Sequence, residues 1–300
     1  MTGNGLFGAI EAGGTKFNCA VGTGPDDLRA RLRIPTTTPE ETLGRCVEFF
    51  QQQSSTHGAL SAIGIACFGP LDPDQDSPTW GFITSTPKPG WANSDIAGVI
   101  GRAIGVPVAF DTDVNGSAFG EWKYGAAQGV DDFMYLTVGT GIGGAALVNG
   151  RLLHGMIHPE MGHVRVPHDR QRDPYVGRCP FHGDCLEGLA SGPALEDRWG
   201  APAETLLPDH EAWTLEGHYL GLALADFVCT LSPRRIVLGG GVMEQPALLP
   251  IIRREVVRIL NGYVASPALL ERIDEYIVAP GLADRAGVVG ALALARERLG

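Results

Sequence analysis

The sequence predicts an α/β fold arranged as two lobes. Short runs rich in β-forming residues alternate with stretches of helical periodicity along the chain, which is the pattern of an α/β protein. A strand, a glycine-rich turn and a returning strand occur twice, at residues 6–21 and 133–148, which indicates a weak internal repeat. The length of 300 residues is enough for two packed lobes of ordinary domain size.

The first half of the chain begins with a run of predicted strands. The predicted strands cover residues 6–10, 17–21, 27–35, 62–68 and 106–111. Helical spacing with acidic residues in the first turn predicts a helix at 39–53. A second helix is predicted at 115–125, directly after the last of these strands.

In the second half the pattern restarts with a predicted strand at 133–138. A hairpin follows, and its Asn149-Gly150 pair favours a type I′ turn. Residues 164–185 lack periodicity and are rich in His, Pro, Asp and Arg, which predicts an irregular loop. The remaining predicted helices cover 192–199, 211–231, 246–264 and 285–299, and the remaining strands cover 235–242 and 275–280.

Composition argues against several classes of protein. The net charge of −11 and the lack of a basic stripe argue against nucleic acid as a partner. The apolar runs are too short and too interrupted to span a bilayer, which argues against a membrane protein. The N-terminus lacks the basic region and long apolar stretch of a signal peptide. A cytoplasmic location is therefore expected, where the 6 Cys stay reduced.

A glycine-rich turn follows the first strand in the stretch "EAGGTKF". The glycines let a ligand approach the backbone closely and present N–H groups, while the next two residues add a hydroxyl and an ammonium group. The four residues are Gly13, Gly14, Thr15 and Lys16. They have the chemistry of a phosphate-binding turn, although the sequence is not a Walker A motif. A hairpin with purely structural glycines explains this stretch equally well when it is taken alone.

Two more glycine runs follow predicted strands, in "TVGTGIGGA" (137–145) and "VLGGGV" (237–242). The first has the same design as the earlier turn, so two turns from two lobes are expected to hold one polyphosphate. The second offers bare backbone on which a flat group such as adenine can lie. Three glycine runs after strands favour a nucleotide site over coincidence.

Two carboxylates stand at the end of a predicted strand in "AFDTDVNG". A carboxylate there points into the crevice where α/β folds bind ligands. It has the chemistry of a general base that takes the proton from an attacking hydroxyl. The alternative role is to cap the following helix. Both roles can be filled, with Asp111 or Thr112 supporting the turn while Asp113 faces the substrate.

The stretch "CPFHGDC" concentrates metal-binding side chains in the irregular loop. Cys179, His182 and Cys185 have a spacing that lets them converge on one tetrahedral zinc ion. A redox CxxC pair is absent because five residues separate the two cysteines. A closed structural site needs a fourth ligand, and His163 in "HPEMGH" is the first candidate. The rival fourth ligands are His154, His158 and His168.

In their order along the chain, these motifs resemble the ROK sugar kinases, and within that family the zinc-containing bacterial fructokinases. The resemblance covers essentially the whole chain. It rests on "EAGGTKF", "GIACFGPLD", "STPKPGW", "TDVNGSAFGE", "TVGTGIGGA", "HPEMGH", "CPFHGDCLEGLASGPA" and "LGGGV". It implies a two-lobed ribonuclease-H-like α/β fold of the actin/hexokinase/Hsp70 type with an inserted zinc-binding loop. It also implies phosphorylation of a sugar hydroxyl with ATP and Mg²⁺.

The resemblance implies roles for individual residues. Asp113 matches the catalytic base, which also contacts the sugar. The nucleotide-binding positions are matched by Gly13, Gly14, Thr15, Lys16, Thr140, Gly141, Pro193, Gly239, Gly240 and Gly241. The further sugar-binding positions are matched by Gly69, Pro70, Glu160, His163 and Glu187. The structural zinc ligands are matched by His163, Cys179, His182 and Cys185.

The resemblance also implies a division of the chain. The smaller N-terminal lobe is predicted to comprise residues 1–115 and the C-terminal helix at about 285–300. The larger lobe is predicted to comprise residues 116–284, with the zinc loop at about 154–187. A homodimer that acts on a small-molecule sugar and ATP is expected.

Two departures from the family pattern bear on specificity. Glu11 stands where many relatives carry Asp, which leaves its contact with Mg²⁺ open. Thr112 stands where the glucokinases of the family carry Asn before the base. The loss of that amide favours D-fructose, phosphorylated at its 6-hydroxyl to fructose 6-phosphate. Glucose, mannose and an N-acetylated hexosamine are the alternative substrates.

Two other classes of protein compete with a sugar kinase. The family contains sugar-responsive transcription regulators, which carry a DNA-binding domain before the kinase-like part. The first strand here begins at about residue 6 and the net charge is −11, and both argue against a regulator. A metallohydrolase would use the zinc loop directly and needs an open position on the metal, whereas four protein ligands predict a closed one.

Overall fold

The structure, a computed structural model, describes residues 5–299 of the chain. Residues 1–4 and 300, which the predicted lobes include, lie outside the described residues. Within 5–299, no helix is long and apolar enough to cross a lipid bilayer.

Strands and helices alternate along the described chain. The strands are β1 (Leu6–Ala12), β2 (Lys16–Gly24), β3 (Asp27–Pro35), β4 (Leu60–Cys67), β5 (Phe82–Ile83), β6 (Ser94–Asp95), β7 (Val108–Thr112), β8 (Phe133–Val138), β9 (Ile142–Val148), β10 (Arg151–Leu152), β11 (Arg235–Gly239) and β12 (Ile277–Val278). The helices are α1 (Pro39–His57), α2 (Ile96–Ile104), α3 (Asp113–Tyr124), α4 (Leu186–Ala190), α5 (Gly192–Trp199), α6 (Ala212–Leu231), α7 (Leu248–Leu260), α8 (Pro267–Leu270), α9 (Ile273–Tyr276) and α10 (Ala286–Glu297).

The chain divides into two compact units. Unit 1 contains the described residues within Met1–Gln128, His154–His158 and Gly281–Gly300. Unit 2 contains Gly129–Leu153 and Pro159–Pro280. The division of the sequence into functional lobes, with a boundary after residue 115, stays a prediction.

Unit 1 is built on a five-stranded sheet in the order β3-β2-β1-β4-β7. The pairs β1–β2 and β2–β3 are antiparallel, whereas β4 runs parallel to both β1 and β7. One face carries mostly small side chains and packs against α10, and Gly64 of β4 lies so close to the backbone of α10 that no side chain fits there. The opposite face carries larger side chains and packs against α1 and α2.

Unit 2 repeats this arrangement with different residues. Its sheet has the order β10-β9-β8-β11-β12, with β8–β9 and β9–β10 antiparallel and β11 parallel to both β8 and β12. The two sheets therefore have the same strand order and the same directions. The core of unit 2 packs side chains from the sheet against α6 and α7, with Trp213 and Tyr219 among the largest side chains fully buried. The internal repeat read from residues 6–21 and 133–148 is the pair of hairpins β1–β2 and β8–β9.

The sequence-based elements agree with the structure except in five places, one of which is the short helix α8, which was not predicted. The hairpin turn is confirmed, since Asn149 and Gly150 have φ angles of 53° and 70°. The prediction missed the two-stranded sheet β5–β6, whose strands have two residues each, and α2, although α2 buries Ile96, Ala97 and Ile100 at helical spacing. It also missed the short helix α4. At 275–280 the predicted strand is wrong in part, since a helical turn occupies Ile273–Tyr276 and the strand keeps two residues.

Candidate active site and metal cluster

The first glycine-rich turn of unit 1 is held by its own backbone and by the segment after β3. The N–H of Gly13 donates to the carbonyl of Lys16 at 2.9 Å. The hydroxyl of Thr36 donates to the carbonyl of Gly13 at 2.8 Å, and its N–H donates to the carbonyl of Thr15 at 3.0 Å. Gly14 is exposed, and a Cβ placed on it would meet no protein atom within 4 Å. The protein's own packing therefore does not require glycine there, which leaves the space to a ligand.

Glu11 ends the first strand below this turn. Its carboxylate accepts a hydrogen bond from the side-chain amide of Asn18 at 2.8 Å. Burial raises the pKa of Glu11, and the Asn18 hydrogen bond and the charge of Lys16 oppose that rise. A cation bound beside this carboxyl would favour its ionised form.

Asp113 is the first residue of α3. Thr112 caps the helix, since its hydroxyl accepts from the N–H of Asn115 at 3.0 Å. A carboxylate oxygen of Asp113 accepts from the N–H of Val114 at 2.8 Å. The helix N-terminus favours the ionised form of an acid in this position. Cys67 is the last residue of β4. Burial, together with the charge of Asp113, raises the pKa of its thiol.

Asp111 has the supporting role expected of one of the two acids. Its side chain is buried and accepts from the N–H of Thr112 at 2.8 Å and from the side-chain amide of Asn115 at 2.7 Å. The imidazole of His154 lies 3.1 Å from the same oxygen. Asp111 is thus committed to the turn.

Gly69 and Pro70 form a turn after β4, also in unit 1, and the peptide bond between them is cis. The carbonyl of Pro70 accepts from both the N–H and the hydroxyl of Thr84, at 2.9 and 3.1 Å. The imidazole of His158 lies against the turn and accepts from the N–H of Leu71 at 3.4 Å.

The second glycine-rich turn belongs to unit 2 and joins β8 to β9. The N–H of Gly139 donates to the carbonyl of Gly141 at 2.9 Å. The N–H of Gly192, at the start of α5, donates to the carbonyl of Gly139 at 2.8 Å. A carboxylate oxygen of Glu187 accepts from the N–H of Ile142 at 2.9 Å. The start of α5 and one carboxylate therefore fix this turn from two sides.

A cavity of about 720 Å³ opens beside this turn, entirely within unit 2. That volume lies in the range of sites for small molecules and cofactors. Predicted nucleotide-binding residues in its lining are Thr140, Pro193 and Gly241. Gly239 and Gly240 serve the packing instead: Gly239 lies against the Tyr135 hydroxyl, and Gly240, with φ of 95°, lies against the backbone of Val138. The structure thus separates the roles of the three consecutive glycines.

Four side chains of unit 2 come together as a candidate metal site. Their ligand atoms all lie within 4.8 Å of one another. The Nδ1 atom of His163 lies 3.7 Å from the Sγ of Cys179 and 3.5 Å from the Sγ of Cys185, and the Nδ1 of His182 lies 3.5 Å from the Sγ of Cys179. Tetrahedral zinc, with Zn–S of about 2.3 Å and Zn–N of about 2.0–2.1 Å, needs sulfur–nitrogen distances of about 3.6 Å. The donor set fits zinc in both chemistry and size.

The three rival histidines have other partners. His154 and His158 belong to unit 1 and contact Asp111 and Leu71. The imidazole of His168 lies 3.1 Å from Asp184, and this hydrogen bond helps to lower the pKa of Asp184 to about 2. Asp184 also pairs with Arg165 and Arg170, so an ion network folds the loop that carries the cysteines.

Glu160 and Glu187 lie beside the metal cluster. Glu160 directly precedes the 3₁₀ turn Met161–His163, and the N–H of His163 donates to its carbonyl at 3.0 Å. Glu187 is the second residue of α4, two positions after Cys185, and its carboxylate lies 4.0 Å from the Nε2 of His163. A carboxylate facing the far nitrogen of a metal-binding histidine is a common way to orient the ring.

The comparisons with known proteins come to the same family. The sequence profile of the ROK family matches residues 7–298. The chain belongs to the ROK family. It is 46% identical over 294 residues to the fructokinase of Zymomonas mobilis, covering 97% of this chain and 96% of that protein.

Solved structures agree with this assignment and show an α/β sugar kinase fold. A ROK hexokinase from Thermus thermophilus matches with a TM-score of 0.78 and 29% identity, covering 98% of this chain and 99% of that one. A ROK glucokinase from Streptomyces griseus, in complex with glucose and AMPPNP, matches with a TM-score of 0.74 and 25% identity, covering 98% of this chain and all of that one.

Several residues in the cavity of this ROK protein escaped the sequence reasoning. Glu196, Trp213, Glu244 and Gln245 line it together with the predicted residues. Glu196 and Trp213 lie on helices that were predicted correctly, and Glu196 follows Pro193 by one turn of α5. Periodicity alone assigns Trp213 to the core, since its ring is almost fully buried. Nothing in the local sequence marks it as part of a ligand site.

Proposed function

We propose that this chain is a fructokinase, which transfers the γ-phosphoryl group of ATP to the 6-hydroxyl of D-fructose. The observation that carries the proposal is the identity of 46% with a fructokinase along nearly the whole chain. The position of Asp113 supports the chemistry, since its carboxylate is the first group of α3 and Asp111 takes the supporting role beside it.

Asp113 acts as the general base. Its carboxylate takes the proton of the sugar 6-hydroxyl while the hydroxyl oxygen attacks the γ-phosphorus, and the bond from that phosphorus to the β–γ bridging oxygen breaks. The products are fructose 6-phosphate and ADP. A positioned base contributes about 10²–10⁴-fold to such a rate. The N–H of Val114 donates to one oxygen of the Asp113 carboxylate at the start of α3, which fixes the direction of the carboxylate.

In unit 2 the cavity beside Thr140, Pro193 and Gly241 accepts the adenosine. In unit 1 the turn of Gly14 and the ammonium group of Lys16 bind phosphate oxygens. Magnesium bound with ATP would supply neutralisation of the phosphate charge. Glu11 is the carboxylate nearest along the chain to the phosphate-binding turn.

The four-residue cluster is a structural zinc site. Two thiolates and two imidazoles fill all four positions of a tetrahedron, so no position is open for a catalytic water. When bound, zinc supplies a crosslink between the turn that carries Glu160 and the start of α4 that carries Glu187. These two carboxylates, with His163, are the sugar-binding residues that we assign to unit 2.

We also assign the two units to the ribonuclease-H-like fold class. The matching strand order and directions of the two sheets support this, because that class has two halves of common topology. In the same proposal the lobe division follows the sequence prediction, with the zinc loop at about 154–187, and the enzyme is a homodimer. Light scattering coupled to size-exclusion chromatography tests the dimer, and a mass of one chain would contradict it.

A coupled assay of ADP formation tests the function. Fructose, mannose, glucose and N-acetylated hexosamines are compared at one concentration of ATP and Mg²⁺, and kcat/KM is measured for each. Fructose is expected to give the highest value. Asp113→Asn is expected to fold normally and bind sugar but to lose about 10²–10⁴-fold in kcat. A higher kcat/KM for another hexose would show that fructose is not the preferred substrate. Near-normal turnover by Asp113→Asn would show that Asp113 is not the base.

A further inference from the structure

A five-residue segment of unit 1, His154–His158, carries two histidines that the proposed reaction does not use. The residues just before and just after it belong to unit 2. Each end of the segment is attached to unit 1 by an imidazole. We call it the strap. Between its ends a tight turn forms, in which the N–H of Gly155 donates to the carbonyl of Ile157 at 2.9 Å.

The first end of the strap contacts the turn that carries Asp113. The Nε2 atom of His154 lies 3.1 and 3.0 Å from the two carboxylate oxygens of Asp111. A carboxylate only accepts, so His154 carries a proton on Nε2 and donates it. The side-chain amide of Asn115 donates to the same carboxylate at 2.7 Å. Asp111 lies two residues before Asp113, and Asn115 lies two residues after it. The buried carboxylate of Asp111 contacts both Asn115 and His154.

The second end contacts the turn of Gly69 and Pro70, which the family resemblance assigns to the sugar. The Nε2 of His158 accepts from the N–H of Leu71 at 3.4 Å, so this nitrogen carries no proton. The side chain of His158 is buried, and a Cβ on Gly69 would lie 3.3 Å from the ring. The strap thus contacts both turns of unit 1 to which the reaction assigns a role with the sugar.

We infer that His154 and Asp111 are positioning residues, which fix the direction of the Asp113 carboxylate through the shared hydrogen bonds with Asn115 and Thr112. This inference rests on the proposed function. A displacement of about 1 Å in a reacting group can cost about 100-fold in rate. The N–H of Thr112 and the side-chain amide of Asn115 both donate to one carboxylate oxygen of Asp111. The imidazole of His154 contacts this oxygen and the second one, so it holds the whole carboxylate group in place.

The test compares two replacements of His154 that differ in one property. His154→Gln retains an amide N–H at about the distance of the imidazole Nε2, whereas His154→Leu has similar bulk but no donor. His57→Leu, at the end of α1 and outside the site, is the control. We expect His154→Leu to lower kcat by about 10–100-fold. The KM values for sugar and ATP should stay within about threefold, and His154→Gln should recover most of the loss.

Thermal unfolding of each variant separates positioning from loss of fold. The melting temperatures of the two His154 variants are expected to agree within a few degrees, since both lose the same partly exposed ring. Equal kcat for the Leu and Gln variants, whether high or low, would overturn the inference. If His154→Leu does not fold, the comparison moves to His154→Gln against the shorter His154→Asn, and equal kcat for those two would overturn it as well.

The failures of the two proposals look different. If the wild-type protein phosphorylates no hexose, the proposed function fails. If it does so and Asp113→Asn keeps wild-type turnover, Asp113 is not the base and the positioning role fails with it. If Asp113→Asn loses turnover while His154→Leu retains it, only the positioning role fails. Loss in both, with recovery in His154→Gln, supports both proposals.

Discussion

The Nδ1 atom of His163 lies 3.5 Å from the Sγ atom of Cys185. This contact joins the 3₁₀ turn Met161–His163 to the start of α4, across a loop with little regular structure. In the absence of a metal, burial raises the pKa of the Cys185 thiol to about 11. A bound zinc ion would lower this pKa, because zinc binds the thiolate and releases the proton.

Removal of the zinc site is expected to loosen unit 2 without abolishing the chemistry. Cys185→Ser should reduce the zinc content from one ion per chain to none, lower the melting temperature, and raise the KM for sugar several-fold. The kcat at saturating sugar should fall much less, because no zinc-bound water takes part. Elemental analysis, thermal unfolding and steady-state kinetics measure these quantities.

Cys229→Ser is the matched control for this experiment. Cys229 is exposed on α6, and its replacement should change none of the three quantities. A Cys185→Ser protein with wild-type stability and sugar affinity would contradict the structural role of zinc. A complete loss of kcat at saturating sugar in a folded variant would point to a catalytic metal instead.

The consecutive glycines after β11 should separate ligand binding from stability. Gly241 lines the cavity, and a Cβ on it meets no protein atom within 4 Å. Gly241→Ala is therefore expected to weaken binding of a non-hydrolysable ATP analogue at little cost in stability, or with a gain of about 0.4–1 kcal/mol. Gly240→Ala is expected to destabilise the fold, since its φ of 95° and the backbone of Val138 exclude a side chain. Calorimetric titration and thermal unfolding distinguish them. Equal nucleotide affinity in wild type and Gly241→Ala would show that Gly241 does not line the nucleotide site.

Glu121 holds together two segments of unit 1 that are distant in sequence. Its fully buried carboxylate accepts from the N–H groups of Ala126, Gly281 and Leu282, at 2.6, 2.9 and 2.9 Å. Glu121→Ala leaves three donors without this acceptor, which should cost about 3–5 kcal/mol in the free energy of unfolding. Denaturant unfolding measures the loss, and Glu48→Gln on the exposed surface of α1 is the control. A loss below about 1 kcal/mol would show that other acceptors replace the carboxylate.

The buried carboxyl of Glu216 should make stability depend on pH. It lies in α6 without a hydrogen-bond partner, and burial raises its pKa well above the ordinary value of 4.5, although the charge of Arg198 opposes this. The folded protein keeps the proton that the unfolded chain releases as pH rises above about 4.5, so the free energy of unfolding falls with rising pH over that interval.

Replacing Glu216 by Gln removes this titration. The melting temperature of Glu216→Gln, relative to wild type, is expected to rise from about pH 5 to about pH 8. Each kcal/mol of stabilisation shifts the melting temperature by roughly 2–4 °C in a protein of comparable size. A lower melting temperature of the variant at pH 8 would show that Glu216 is ionised and paired with Arg198.

Several strands, helices and turns were readable from the sequence because local patterns determine them. Alternation of apolar and polar residues marked β3, and Asn149-Gly150 marked the hairpin of β9 and β10, since both depend on residues next to each other. The region at 69–105 was not readable. Its strands β5 and β6 have two residues each, too few for an alternating pattern, and they are defined by their pairing with each other.

By itself, the sequence determined the family, the three glycine runs, the pair of acids at the end of β7 and the residue types of a zinc site. These are properties of adjacent residues and of their spacing. Only the tertiary structure decided that His163 joins the two cysteines while His154 and His158 lie with unit 1, and that Gly241 but not Gly240 lines the cavity. Those outcomes depend on which segments meet in space, and hydrogen bonds and packing between residues far apart in the chain decide that.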